Sequence, residues 1–172
     1  MDEHVILVNE QDQVLGTEEK LKAHQKGLRH RAFSIFIFNS KKEMLIHKRA
    51  LNKYHSGGLW TNACCSHPRP NEDTDKAAHR RLQEEMGFDC PLTKVFSFIY
   101  KVKIEKDNLF EYELDHVFIG TCNKTPNPNP QEVDSFLWVP IDALIADVNQ
   151  HPERYTYWFK QALDKVTSML LS

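Results

Sequence analysis

The first chemical signal is the stretch Trp60-Thr61-Asn62-Ala63-Cys64-Cys65-Ser66-His67-Pro68. A thiol two residues from an imidazole has two readings. It is a buried cysteine beside a satisfied histidine, or a reactive thiol whose pKa is lowered by a cationic or metal-bound ring. The second signal is Glu111-Tyr112-Glu113, followed by Asp115. On a strand, Glu111 and Glu113 point to one face. Two carboxylates there repel unless a cation or proton lies between them; a solvated strand face is the plainer alternative. His24, His30 and His67 are available as further ligands. Three imidazoles and two carboxylates suit an octahedral site for Mn²⁺, Fe²⁺, Mg²⁺ or Zn²⁺. The third signal is Arg80-Arg81-Leu82-Gln83-Glu84-Glu85-Met86-Gly87-Phe88. Paired glutamates before a glycine stop are common, and their plain reading is a solvated helix face.

That third stretch resembles the Nudix box. Ser66 stands at the first glycine, Glu72 at the first glutamate and Arg80 at the arginine. Glu84 and Glu85 form the glutamate pair, and Gly87 is the last glycine. Arg81 replaces a glutamate that helps hold catalytic metal in Nudix hydrolases. The wider order of motifs is more specific. Thr61-Asn62, Cys65, His67-Pro68 and Glu111-x-Glu113, with the altered box between, resemble the type I isopentenyl-diphosphate isomerases. The resemblance runs from His4-Val5-Ile6-Leu7-Val8 to Trp158, nearly the whole chain.

The resemblance implies a Nudix-like α/β/α sandwich around a mixed β-sheet and a set of roles. Cys65 and Glu113 match the family's catalytic pair, and Tyr100 a tyrosine that hydrogen-bonds the glutamate. His24, His30, His67, Glu111 and Glu113 match the ligands of one divalent metal, Mn²⁺ or Zn²⁺. Glu85 matches a ligand of a Mg²⁺ that arrives with the diphosphate. Lys20, Arg49, Lys53 and Arg81 match diphosphate contacts, and Trp158 an aromatic over the hydrocarbon end. Cys64 has no role in this scheme. The implied reaction interconverts isopentenyl and dimethylallyl diphosphate. It adds a proton at C4 of an unactivated alkene and removes one at C2. Such a site needs an acid on one face, a base on the other and exclusion of water. Either Glu113 with Tyr100 protonates C4 while a Cys65 thiolate takes the C2 proton, or the roles are reversed. The first is the expectation here. A thiolate and an aromatic face both favour a developing cation.

These side chains need a scaffold. The sequence predicts a strand at Val5–Val8, then a helix opened by Thr17-Glu18-Glu19-Lys20 and stopped by Gly27. A hairpin follows, Ala32–Phe38 and Glu43–Lys48 around Asn39–Lys42. Asn52–Gly58 reads as a loop and Leu59–Cys65 as extended. A helix capped by Asp73 or Thr74 runs to Met86. Long strands occupy Thr93–Ile104 and Leu109–Thr121, turning at Lys106-Asp107-Asn108. Lys124–Pro130 is a loop, Phe136–Val139 a strand, and Pro140 and Pro152 start two helices, the second reaching Leu171. Strand hairpins with intervening helices suggest an α/β sandwich with a mixed sheet.

At 172 residues the chain is expected to form one domain, residues 1–172. Hydrophobic residues are 41% and charged residues 27%, which excludes a mostly disordered chain. Lys plus Arg is 22 against 24 for Asp plus Glu, so nucleic-acid binding by a general basic excess is not indicated. The expected partner is a small diphosphate, with no nucleic acid and no membrane. No apolar run is long enough to span a bilayer, and Met1-Asp2-Glu3-His4 is no signal-peptide start. The expectation is a cytoplasmic protein with free thiols at Cys64, Cys65, Cys90 and Cys122. A Nudix hydrolase of a nucleoside or prenyl diphosphate is the alternative, and a catalytically silent binding module is a third possibility.

Overall fold

The computed structural model describes residues 3–53 and 55–171; Met1 and Asp2, which entered the signal-peptide argument, lie outside them. The elements in chain order are β1 (His4–Val8), β2 (Val14–Glu19), α1 (Lys20–Lys26), β3 (His30–Phe38), β4 (Glu43–Arg49), β5 (Trp60–Thr61) and β6 (Cys64–Ser66). They continue with α2 (Thr74–Met86), β7 (Thr93–Ile104), β8 (Leu109–Thr121), β9 (Val133–Pro140), α3 (Ile141–Gln150) and α4 (Tyr157–Leu171).

The organising strand is β3. It pairs in parallel with β8 from His30↔Glu113 to Phe38↔Thr121. Its other neighbours are antiparallel: β1 at His30, β6 at Phe33–Ile35 and β4 at Phe38. The sheet is therefore mixed, as expected. The run Ala32–Phe38 is continuously buried because both faces of β3 are covered. Alternation sorts its side chains. Phe33, Ile35 and Ile37 pack with Ala77, Ala78, Leu82 and Met86 of α2. Phe36 and Phe38 pack with Leu144 of α3 and Phe159, Leu163 and Val166 of α4. Each fully buried phenylalanine contributes roughly 1.5–3 kcal/mol. Helices thus lie on both faces, giving the sandwich.

The same alternation separates the two adjacent thiols. Cys64 joins the core under α2, whereas Cys65 faces the α4 side. On β8, Glu111, Glu113, Asp115 and Val117 share one face, and Val117 belongs to the α4 core. Gly87 ends α2 with φ +74°, and a Cβ there would meet the Asn127 carbonyl oxygen at 2.2 Å. The close approach lets Asn127 and Asn129 donate backbone N–H groups to the Met86 and Glu85 carbonyls. This loop leads directly to Glu132.

Four expectations change. Residues 14–19 form an edge strand rather than a helix start, because the ladder to β1, Thr17↔Ile6 among its pairs, overrides the capping tendency of Thr17. The strands β3 and β4 meet only at Phe38↔Met44; the main partner of β4 is β9. That ladder extends β9 back to Val133. The last helix does not start at Pro152. A single 3₁₀ turn, Pro152–Arg154, comes first. Thr156 then donates its N–H to Trp60 O at 3.0 Å, and α4 begins at Tyr157. Among the described residues no helix is long and apolar enough to cross a membrane.

Candidate active site

Five of the six expected metal ligands converge at one end of the sheet. His24 sits in the last turn of α1, His30 opens β3, His67 follows β6, and Glu111 and Glu113 alternate on β8. His24 and His30 each direct Nδ1 at a main-chain carbonyl, Lys20 O at 2.7 Å and Leu28 O at 2.9 Å. A carbonyl only accepts, so each ring donates its Nδ1–H and presents an Nε2 lone pair. His30 Nε2 lies 3.2 Å from His67 Nε2, and His67 Nε2 lies 3.0 Å from Glu113 Oε2. His24 Nε2 is 3.4 Å from Glu111 Oε2. Donors about 2.1 Å from one ion at right angles stand about 3.0 Å apart. The three histidine ligand atoms fall within 4.8 Å of one another, and the two Glu111 oxygens make no hydrogen bond. Lone pairs that face one another with a carboxylate beside them fit a divalent cation.

Charge and burial favour the ligating form at His30, His67 and Glu113, and the protonated form at His24 and Glu111. Burial pulls His30 down to about 3 against the opposing charge of Glu113, and lowers His67 as well. Neutral imidazole is the ligating form. Burial also opposes protonation of His24, but the Glu111 carboxylate outweighs it and raises the pKa. For Glu113 the penalty of burial is overcome by His67 and His30, and its carboxyl stays well below the usual range. Burial and the charge of Glu113 push Glu111 upward. Glu85 lies apart from this cluster. It is buried near the end of α2, with Arg81 Nη2 2.5 Å from its Oε1.

The proton-transfer candidates line one narrow cavity with Ser34, Arg49, His55, Asp115 and Trp158. Cys65 approaches from β6, and Glu113 from β8. Tyr100 lies opposite Glu113 across β7–β8 and donates its O–H to Glu113 Oε1 at 2.5 Å. Trp158 Nε1 donates to Cys65 Sγ at 2.9 Å, and the thiol donates to Asn62 Oδ1 at 2.9 Å. Thr61 and Thr156 are joined by their hydroxyls at 2.9 Å, which anchors the start of α4 and so places Trp158. The surroundings of Cys65 favour the thiol over the expected thiolate. Burial first, then the Asp115 carboxyl, push the Cys65 thiol to about 12. The Arg49 guanidinium lies 5.4 Å from the Trp158 ring centroid, and is buried.

Of the other expected basic residues, Lys20 and Arg81 border a larger cleft of about 470 Å³, lined also by His67, Arg69 and Arg80, whereas Lys53 is not among its lining residues. Lys20 pairs with Glu3 at 2.9 Å, Lys53 pairs with Glu132, and Arg81 Nη2 lies 3.5 Å from Glu132 Oε1. Three contributors carried no role in the sequence reading. Asp115 continues the Glu111–Glu113 face, so strand periodicity could have found it; Ser34 donates to its Oδ2 at 2.7 Å. His55 and Glu132 have no local spacing signal.

A basic-lined cleft beside a thiol, a carboxylate and a histidine cluster can be compared with known proteins. Over 168 residues the chain is 51% identical to isopentenyl-diphosphate Delta-isomerase 2 of Aromatoleum aromaticum, covering 98% of this chain and 88% of that protein. It is 54% identical over 164 residues to isopentenyl-diphosphate Delta-isomerase 2 of Photorhabdus laumondii, covering 95% and 92%. The chain belongs to the isopentenyl-diphosphate Delta-isomerase family. Residues 28–159 match the NUDIX domain family. The fold is shared with the crystal structure of DR0079 from Deinococcus radiodurans, TM-score 0.71 at 20% identity over 86% of this chain and 90% of that one. It is shared also with the MutT protein of Methanosarcina mazei, TM-score 0.69 at 16% identity over 84% and 96%. Within the isomerase family, a thiol and a carboxylate facing one cavity are suited to moving protons on carbon.

Proposed function

We infer that the chain interconverts isopentenyl diphosphate and dimethylallyl diphosphate, acting as one unit over residues 1–172 in a cytoplasmic setting. The observation that carries this reading is the convergence of Cys65, Glu113 and Tyr100 on the cavity closed by Trp158. A flat five-carbon unit there lies between a thiol and a carboxylate from different strands. One adds a proton at C4 and the other removes one at C2. The reaction is reversible, so each serves as acid in one direction and base in the other. Trp158 presents a π face to the cationic character that develops at C3.

Each site residue has a proposed role. His24, His30, His67, Glu111 and Glu113 hold one divalent ion, Mn²⁺ or Zn²⁺. When bound, that ion supplies positive charge that orients Glu113 and holds it ionised. Lys20, Arg49, Lys53 and Arg81 receive the diphosphate, and Glu85 serves the Mg²⁺ that accompanies it. Binding energy from the diphosphate positions the remote reacting carbons. A hydrolase would use the carboxylates of the Nudix box on metal; here Arg81 engages both Glu84 and Glu85.

Turnover in D₂O tests the reading. Deuterium should enter the methyl end at C4, and C2 at longer times, seen by NMR of the recovered diphosphates. Glu113→Gln should suppress the labelling. Phosphate release with no carbon-bound deuterium would overturn the isomerase reading in favour of hydrolysis.

A further inference from the structure

Glu111 has a second imidazole neighbour. His55 lies in the loop between β4 and β5, only 7% exposed, with Nε2 3.2 Å from Glu111 Oε1. Its ring stacks on His24 with centroids 5.4 Å apart. The ligand atoms of His24, His55 and Glu111 all lie within 4.8 Å of one another, as do those of His24, His30 and His67. The two triads share His24.

Hydrogen bonding fixes what His55 offers. Arg49 Nη2 lies 3.4 Å from His55 Nε2 and 3.3 Å from the His55 carbonyl oxygen. A guanidinium donates and cannot accept, so His55 Nε2 is the acceptor and carries a lone pair. The same nitrogen lies 3.2 Å from Glu111 Oε1, and an ion bound between them would take the lone pair over from Arg49. Two electron-rich atoms at this spacing match adjacent donors on one ion, where the separation is about 3.0 Å. The spacing resembles that between His30 and His67 on the other side of the cluster.

We propose that His55 is a metal ligand of this site, completing with His24 and Glu111 a second ligand face opposite that of His30, His67 and Glu113. The Nε2 of His24 has one lone pair, so the two faces serve a single ion. Adding His55 to the five ligands expected from sequence gives six protein donors, the number an octahedral ion takes. Six protein donors would leave such an ion no open position, unlike a catalytic centre that activates water. Its part is to fix Glu113 and Glu111, with the proton chemistry left to the side chains. This inference rests on the metal reading given above.

The experiment counts nitrogens. Protein stripped with chelator and reloaded with Mn²⁺ is measured by pulsed EPR, which resolves directly bound imidazole nitrogens. Wild-type protein should show four, from His24, His30, His55 and His67, and His55→Gln should show three. Chelator competition with Co²⁺ should give an affinity at least about tenfold weaker for His55→Gln, and its visible absorption should strengthen as six-coordination falls to five. Three nitrogens in the wild type overturns the proposal without any variant. An unchanged Co²⁺ spectrum and affinity in His55→Gln and His55→Ala also overturns it. Wild-type protein that takes up no metal overturns the metal reading itself, a result distinct from loss of one ligand.

Discussion

Replacing Tyr100 with Phe removes one oxygen and leaves a ring that still stacks on Phe98, centroids 5.5 Å apart, and on Tyr157 at 5.8 Å. The lost oxygen donates to Glu113 Oε1 at 2.5 Å inside a buried cluster. A hydrogen bond to a charged group is worth about 1.5–3 kcal/mol. At about 1.36 kcal/mol per factor of ten, kcat should fall roughly 10- to 160-fold if the whole bond is expressed in the transition state. The effect on pH has a definite sign. The O–H stabilises ionised Glu113, so removing it raises the Glu113 pKa and moves the acid limb of kcat to higher pH. Burial and the charge of Glu113 hold the phenol of Tyr100 well above its ordinary pKa, so the donor persists through the assay range and the alkaline limb should not move. The assay is isomerisation at saturating isopentenyl diphosphate across pH about 5–9, with metal content checked in each sample. A kcat within twofold of wild type and an unmoved acid limb would refute the role. A loss beyond about 10⁴-fold would be too large for one hydrogen bond, and would make Tyr100 itself a proton donor.

Two further expectations concern stability and the choice of thiol. Cys65→Ala should lower turnover by several orders of magnitude, while Cys64→Ala should keep most of it and cost about 1 kcal/mol of packing under α2; steady-state rates and melting curves of both decide, and the opposite order of activities would mean the wrong thiol was chosen. Glu132→Gln should destabilise at neutral pH because Lys53 and Arg81 lose their shared carboxylate. Burial raises the Glu132 pKa, but Lys53 and Arg81 outweigh it and the net shift is downward. Its contribution is therefore full above the ordinary carboxylate pKa and is lost as pH falls through the lowered folded value. Urea midpoints of wild type and variant should converge below about pH 4, and a gap that persists in acid would contradict the ion-pair account.

The strands that carry the carboxylates were legible because their signals are local. Thr93–Ile104 and Leu109–Thr121 alternate across a polar turn, and the structure has β7 and β8 with those bounds. Cys64 and Cys65 could be assigned to opposite faces by period alone, and α2 carried both its start and its glycine stop. What escaped depends on partners far along the chain. The edge strand β2 is a strand because β1 offers it a ladder; its own residues favour a helix cap. The pairing of β4 with β9 joins segments about ninety residues apart, beyond any hairpin rule. His55 was missed because it lies in an irregular loop, where no period says which way a side chain points. The thiolate expectation has a counterweight the motif does not show: the burial and the Asp115 carboxyl, which both favour the proton on sulfur, come from the fold.

On the proposed function, the pairing of basic side chains with carboxylates governs how the site discriminates among anions. Lys20 is matched by Glu3, Lys53 by Glu132, and Arg81 by Glu84 and Glu85. An incoming anion must replace carboxylates already in place, whereas at a bare cationic surface it would displace only water and salt ions. A singly charged anion offers each cation nothing more than the carboxylate it displaces. A diphosphate carries its charge over several oxygens and can engage lysine and arginine together. The freed carboxylates then face a polyanion, which is unfavourable unless a divalent cation enters with it. If these residues receive the diphosphate as proposed, selection is for the metal–diphosphate pair as a unit, achieved by making the alternatives compete with the protein's own acids.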